Sequence, residues 1–118
     1  DLDKFDINHF GRTYETHLLF PNRTNVQLAQ VVEQNTLKVK VWERGAGITL
    51  ASGSSSCAVA VAANRRGLVE KKVRIILDGG ELQIFCSDDG VWMSGETSNV
   101  FTGTISEDFL SKEENLLK

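Results

Sequence analysis

Apolar and polar positions alternate twice in the first half of this chain, loosely through N-V-Q-L-A-Q-V-V at 25–32 and cleanly through L-K-V-K-V-W at 37–42. With E-Q-N-T between them as a turn, the two runs predict a hairpin. Upstream, D-I-N-H-F-G-R-T-Y-E-T at 6–16 sets Ile7, Phe10 and Tyr14 at helical spacing behind an aspartate able to cap. L-F-P at 19–21 stops that helix, because the residue before proline avoids the α region. Downstream, K-V-R-I-I-L at 72–77 and E-L-Q-I-F-C at 81–86 flank D-G-G as a second hairpin. V-W-M-S at 91–94 and N-V-F-T-G-T-I at 99–105 supply further strands. From 106 to 118 the pattern is that of an amphipathic helix with Phe109, Leu110, Leu116 and Leu117 on one side.

Between the hairpins the pattern changes. Cys57, Ala58, Val59, Ala60, Val61, Ala62 and Ala63 leave no polar face, which predicts a helix over 54–66 that is buried all round. Asn64-Arg65-Arg66-Gly67 ends it, with cations at the negative pole of the dipole and a glycine at C′. The strands on either side are the elements available to enclose it. The expected fold is therefore α+β, a mainly antiparallel curled sheet or barrel wrapped around one central buried helix.

Composition narrows the function classes. The chain has 118 residues, 41% of them hydrophobic, enough for one domain with a real core. A net charge of −3 with no basic stripe argues against nucleic acid. No apolar run approaches the ~20 residues that span a bilayer, so no membrane partner is expected. The 2 cysteines lack C-x-x-C spacing and nothing resembles a signal peptide, which points to a reducing cytoplasm. The 2 histidines show no metal-ligand pattern, so no metal site is expected. The chain begins D-L-D-K-F without an initiator Met, and is expected to be a piece of something longer.

The chemistry is expected where the glycine- and serine-rich loop W-E-R-G-A-G-I-T-L-A-S-G-S-S-S-C meets the apolar helix. A helix start carries unpaired N–H groups and about half a positive charge. Gly53 permits close backbone approach, and Ser54, Ser55 and Ser56 add hydroxyls, which suits a carboxylate or phosphate. The same serines also make an ordinary N-cap. Glu43 and Arg44 precede a G-A-G turn able to fold them over the helix start. An arginine can fork onto a carboxylate and a glutamate can accept from an ammonium, which suits an amino acid; adjacent opposite charges also form plain surface ion pairs. No G-x-S-x-G, S-x-x-K or G-K-[ST] pattern surrounds Ser52, so serine-hydrolase and P-loop chemistry are not indicated.

V-W-E-R-G-A-G-x-T-L-A-x-G-x-x-x-C-A, followed by A-V-A-A-x-R-R-G-L, resembles the second half of bacterial diaminopimelate epimerases. L-F-P-N-R-T-N-V, G-G-E-L-x-I, V-W-M-S-G and F-T-G-T-I extend the likeness over nearly the whole chain. The resemblance implies an isomerase without cofactor, built from two pseudo-symmetric domains, each a curled sheet around a helix. Residues 1–118 would be the C-terminal one, with the N-terminal domain missing. LL-2,6-diaminopimelate would sit between the two helix starts, where a thiolate removes the α-proton and a thiol from the other domain returns one. The meso product feeds lysine and cell-wall synthesis. Asn25, Glu43 and Arg44 match substrate-binding positions, and Gly53 and Ser54 match donors at the helix start. With no electron-accepting ring, the α-carbanion would be stabilised by the helix ends and by donors to the carboxylate.

The chain departs from this pattern in one decisive place. The family motif runs A-C-G-T-G-A-C, where this chain has A-S-G-S-S-S-C, so the catalytic cysteine position falls on Ser52. Cys57 matches a second family cysteine within the helix and reads as a buried structural thiol. Ile48 replaces the Glu usual in G-E-T. Serine is far less acidic than cysteine and is a poor base in its place. An introduced Cys→Ser change, divergence to a binding or lyase-type role, and an epimerase whose Ser52 has another activator all fit. A racemase of another amino acid or a non-catalytic amino-acid-binding module are the alternative functions. The isolated chain is expected to be inactive, and its apolar domain-facing side implies possible homodimerisation.

Overall fold

The computed structural model describes residues 1–114. After a single 3-10 turn at Leu2–Lys4, α1 spans Ile7–Glu15, and Asp6 caps it by accepting from the Asn8 N–H at 2.9 Å. Its buried stripe is Ile7, Gly11 and Glu15 rather than the expected Ile7, Phe10 and Tyr14. Phe5, Phe10, Tyr14 and His17 instead form a series of ring contacts along its other side, with Phe10 and Tyr14 stacked and the other two pairs tilted. Gly11 decides which face turns inward, because any Cβ there would collide with the Trp42 ring. The helix ends before L-F-P is reached.

β1 (Val26–Glu33) and β2 (Thr36–Glu43) form the expected antiparallel hairpin, and the chain then doubles back as β3 (Gly47–Thr49) on β2. This short strand was not anticipated, since the G-A-G run reads as turn alone. Next comes α2 (Gly53–Arg65), followed by β4 (Lys72–Leu77), β5 (Gly80–Ser87) and β6 (Gly90–Gly95). The sheet order is β1-β2-β4-β5-β6, with every pairing antiparallel except β2 with β4. β2 separates two layers. Leu37, Val39 and Val41 face the core, whereas on the other face Lys38 and Lys40 pair with Asp3, and Trp42 meets α1.

The core joins α2 to the inner face of the sheet: Val59, Ala60 and Ala63 pack with Leu37, Val39, Val41, Val73, Ile75, Leu77 and Ile84. Arg66 and Gly67 end α2 in a Schellman motif. Gly67, at φ +70°, donates to the Asn64 carbonyl, and the Leu68 N–H reaches the Ala63 carbonyl.

Three expectations need correction. α2 is not buried all round: Ser54, Ala58, Ala62 and Arg65 form an exposed stripe. The reason is that the sheet curls without closing into a barrel, since β1 and β6 do not pair. Residues 99–105 form no strand, and Val100 and Phe101 are exposed. Apolar neighbours in sequence point to opposite faces of a strand, so V-F would need cover on both sides. Cys57 is half-buried; the buried thiol is Cys86, whose pKa burial pushes up. At the C-terminal end, α3 (Glu107–Glu114) lies where a helix is expected, with Phe109 and Leu110 exposed. Leu116 and Leu117 fall outside the described residues.

The unequal faces of α2 and the sheet predict unequal costs. Ile75→Ala is expected to lower the unfolding free energy by about 2–5 kcal/mol. Ala58→Ser on the exposed stripe should stay within about 0.5 kcal/mol of the unmodified chain. Denaturant titration of the two variants checks both values.

Candidate active site

The mouth of α2 carries the first group of candidate residues. Ser52 is the N-cap, extended at φ −154° and ψ 116°, and its hydroxyl makes no capping hydrogen bond. Ser56 closes the cap from inside, donating its N–H at 3.0 Å and its hydroxyl at 2.8 Å to the Ser52 carbonyl. Ser52 is 9% exposed as a residue, and its hydroxyl is not spent on the helix. The N–H groups of Gly53, Ser54 and Ser55 sit in the first turn, where a helix offers no carbonyl. Among the serines expected to offer hydroxyls, only Ser54 is exposed. Ser55 accepts from Gln27 Nε2 at 3.0 Å, and Ser56 is wholly buried; both brace the junction.

The second group sits on the turn between β2 and β3. Glu43 pairs with Gly47 across it, and Gly45 (φ +78°) and Gly47 (φ +86°) hold backbone angles that favour glycine. Asn25 Oδ1 accepts from the Arg44 N–H at 2.8 Å, and Arg44 Nη1 donates to the Asn22 carbonyl at 3.0 Å. Asn25, Glu43 and Arg44 are thus brought together. Neither Glu43 nor Arg44 joins an ion pair among the described residues, so the plain surface-pair reading does not hold. Gln27, two residues beyond Asn25, links this group to the first: one side of an extended segment reaches both Arg44 and Ser55.

Beneath the turn lies a group with no counterpart in the sequence expectations. Glu15 is buried at 6% exposure. Its Oε2 accepts from the Trp42 indole N–H at 2.6 Å, and its Oε1 from the Gly45 N–H at 3.0 Å and Arg23 Nη1 at 3.2 Å. These donors hold its pKa below the ordinary 4.5, the indole contributing most and the Gly45 N–H next. Gln27 and Glu15 were both missed. A polar residue in an amphipathic strand or helix carries no sign of the partner that buries it.

A sequence model described as diaminopimelate epimerase matches residues 1–100. The chain belongs to that family. A diaminopimelate epimerase of Clostridium perfringens is 50% identical over 80% of this chain, covering 35% of its own length. One from Rhodospirillum centenum is 48% identical over 93% of the chain, and one from Magnetococcus marinus is 46% identical over 89%, each covering 38% of its own length. This epimerase-family chain therefore spans little more than a third of the relatives it matches. Among its described residues, no group of three or more His, Cys, Asp and Glu could hold a metal ion, and no helix is long and apolar enough to cross a membrane.

Because its pKa is lowered on folding, Glu15 contributes stability that is complete above 4.5 and lost as pH falls through the lower folded value. The NMR resonance of the Trp42 indole N–H is therefore expected to titrate with a midpoint below 4.5. A midpoint at or above that value would show that the three donors do not hold the ionised form.

Proposed function

We propose that this chain supplies the C-terminal half of the active site of a cofactor-independent diaminopimelate epimerase, interconverting the LL and meso forms. The N-terminal domain is then contributed by sequence outside these 118 residues. The observation that carries the reading is the α2 mouth: Ser52 stands at the position of a catalytic family cysteine, beside first-turn amides that suit a carboxylate. Arg44 and Glu43, on a turn tied to Asn25, suit the charged groups of an amino acid. Exposed Trp92 (69%), Val100 (87%) and Phe101 (84%) support a chain that works against a second body.

In this mechanism the α-carbon loses its proton to a base on one face and regains one from an acid on the other. Charge builds on the α-carbon and its carboxylate in between. First-turn amides aimed at that carboxylate, reinforced by the helix dipole, stabilise the charge where it develops. Ser52 occupies the place of one acid/base. Among the described residues no group hydrogen-bonds its hydroxyl as an activator. That observation favours a second reading, amino-acid binding without α-proton exchange.

The two readings separate in heavy water. The protein expressed from its intact gene, with Ser52 and with Ser52→Cys, is incubated with LL-diaminopimelate while meso product and α-deuterium are followed. Epimerisation is expected to rise by ~10²–10⁴ in the Cys form. Absence of α-proton exchange in both forms would exclude the epimerase reading and leave binding alone.

A further inference from the structure

The α2 mouth accounts for Ser52, Gly53 and Ser54, but not for a carboxylate buried at the far end of α1. A lone buried carboxylate is costly unless its oxygens are matched by donors. Glu15 has three donors, drawn from two separate stretches of the chain, Arg23 from one and Trp42 and Gly45 from the other. Arg23 lies on the segment that carries Asn22 and Asn25, Gly45 on the turn that carries Arg44, and Trp42 at the end of β2. Both segments that present candidate ligand groups thus converge on one oxygen, Oε1. Arg23 adopts a left-handed backbone at φ +61°. The Thr24 N–H also donates to the Glu15 carbonyl at 3.1 Å, so the same residue holds the segment twice.

We propose that Glu15 is the positioning residue of this site. Its carboxylate fixes the Asn22–Asn25 segment and the Glu43–Gly47 turn as one unit, and so sets where Glu43 and Arg44 meet the ligand. The part of this proposal that concerns ligand rests on the epimerase reading; the part that concerns the two segments does not.

The chemistry of the three donors dictates the test. All three partners donate, so they need two acceptor oxygens. Glu15→Gln offers one and turns an NH₂ toward a donor. In the protein expressed from its intact gene, Glu15→Gln is expected to speed hydrogen exchange at the Gly45 amide and the Trp42 indole by about tenfold more than at Ile75 and Ile84 in the core. The downfield indole resonance should move upfield, and LL-diaminopimelate binding should weaken by about tenfold. Arg23→Asn is the second variant, since it removes an exposed guanidinium while tolerating the left-handed backbone. It should speed exchange at Thr24 and weaken binding several-fold even if Glu15→Gln fails to fold. Equal loss of protection at Gly45 and in the core, or unchanged Gly45 and Thr24 exchange, would overturn the proposal. If the unmodified protein binds no diaminopimelate, the functional reading falls. The exchange data still decide whether Glu15 holds the two segments.

Discussion

The close seating of α2 against the sheet is the constraint on which the site depends. Ala60 is wholly buried, and its methyl side chain lets the helix axis lie near β2, β4 and β5, where Val73, Ile75 and Ile84 are equally buried. A larger residue there would lift the helix and move its N-terminus with it, since close-packed cores accommodate extra volume poorly. The N-terminal end is pinned from two sides. Gln27 reaches Ser55 from β1, and the Gly79 N–H in the β4–β5 turn donates to the Leu50 carbonyl at 2.7 Å, two residues before Ser52. The position of Ser52 is thus a property of the whole sheet.

The site that results combines two kinds of electrostatics. At the helix mouth the positive potential comes from backbone amides that need no side-chain ordering, and it is aimed at a fixed point in space. On the β2–β3 turn the charges belong to Glu43 and Arg44, long side chains whose usefulness depends on the backbone beneath them. The structure supplies that backbone with a buried ion rather than with packing. Glu15 gathers an indole, an amide and a guanidinium, so removing any one donor leaves a charge poorly matched in a dry place. Serine at position 52 sits comfortably in this frame, because it differs little from cysteine in shape. What it changes relative to cysteine is acidity, the property that the proposed proton transfer most needs.

Much of the architecture was legible in the sequence because periodicity carries it. L-K-V-K-V-W and K-V-R-I-I-L read as strands because the inward face repeats every second residue, and N-R-R-G marks the end of α2 through its glycine. The open side of that helix was not legible. Alanine is small enough to be buried or exposed, and whether a sheet closes over Ala58 and Ala62 depends on pairing between strands far apart in the chain. β3 was hidden because G-I-T is too short for any period to show. Residues 99–105 have strand composition yet pair with no strand, although the outer edges of β1 and β6 are open. At the site, Asn25 and Arg44 could be singled out through family likeness, yet that the asparagine binds the arginine's own backbone is a matter of tertiary placement. Glu15 lies 27 residues from Trp42, and nothing near it in sequence announces that contact.

In the proposed site a ligand carboxylate meets the first turn of α2 beside Ser52. Titration of the ¹⁵N-labelled protein with diaminopimelate, followed by amide chemical shifts, tests it most directly. The largest shifts are expected at Gly53 and Ser54, with smaller ones at Arg44 and Gly45. Shifts confined to the exposed stripe at Ala58 and Ala62, with Gly53 and Ser54 unmoved, would contradict it.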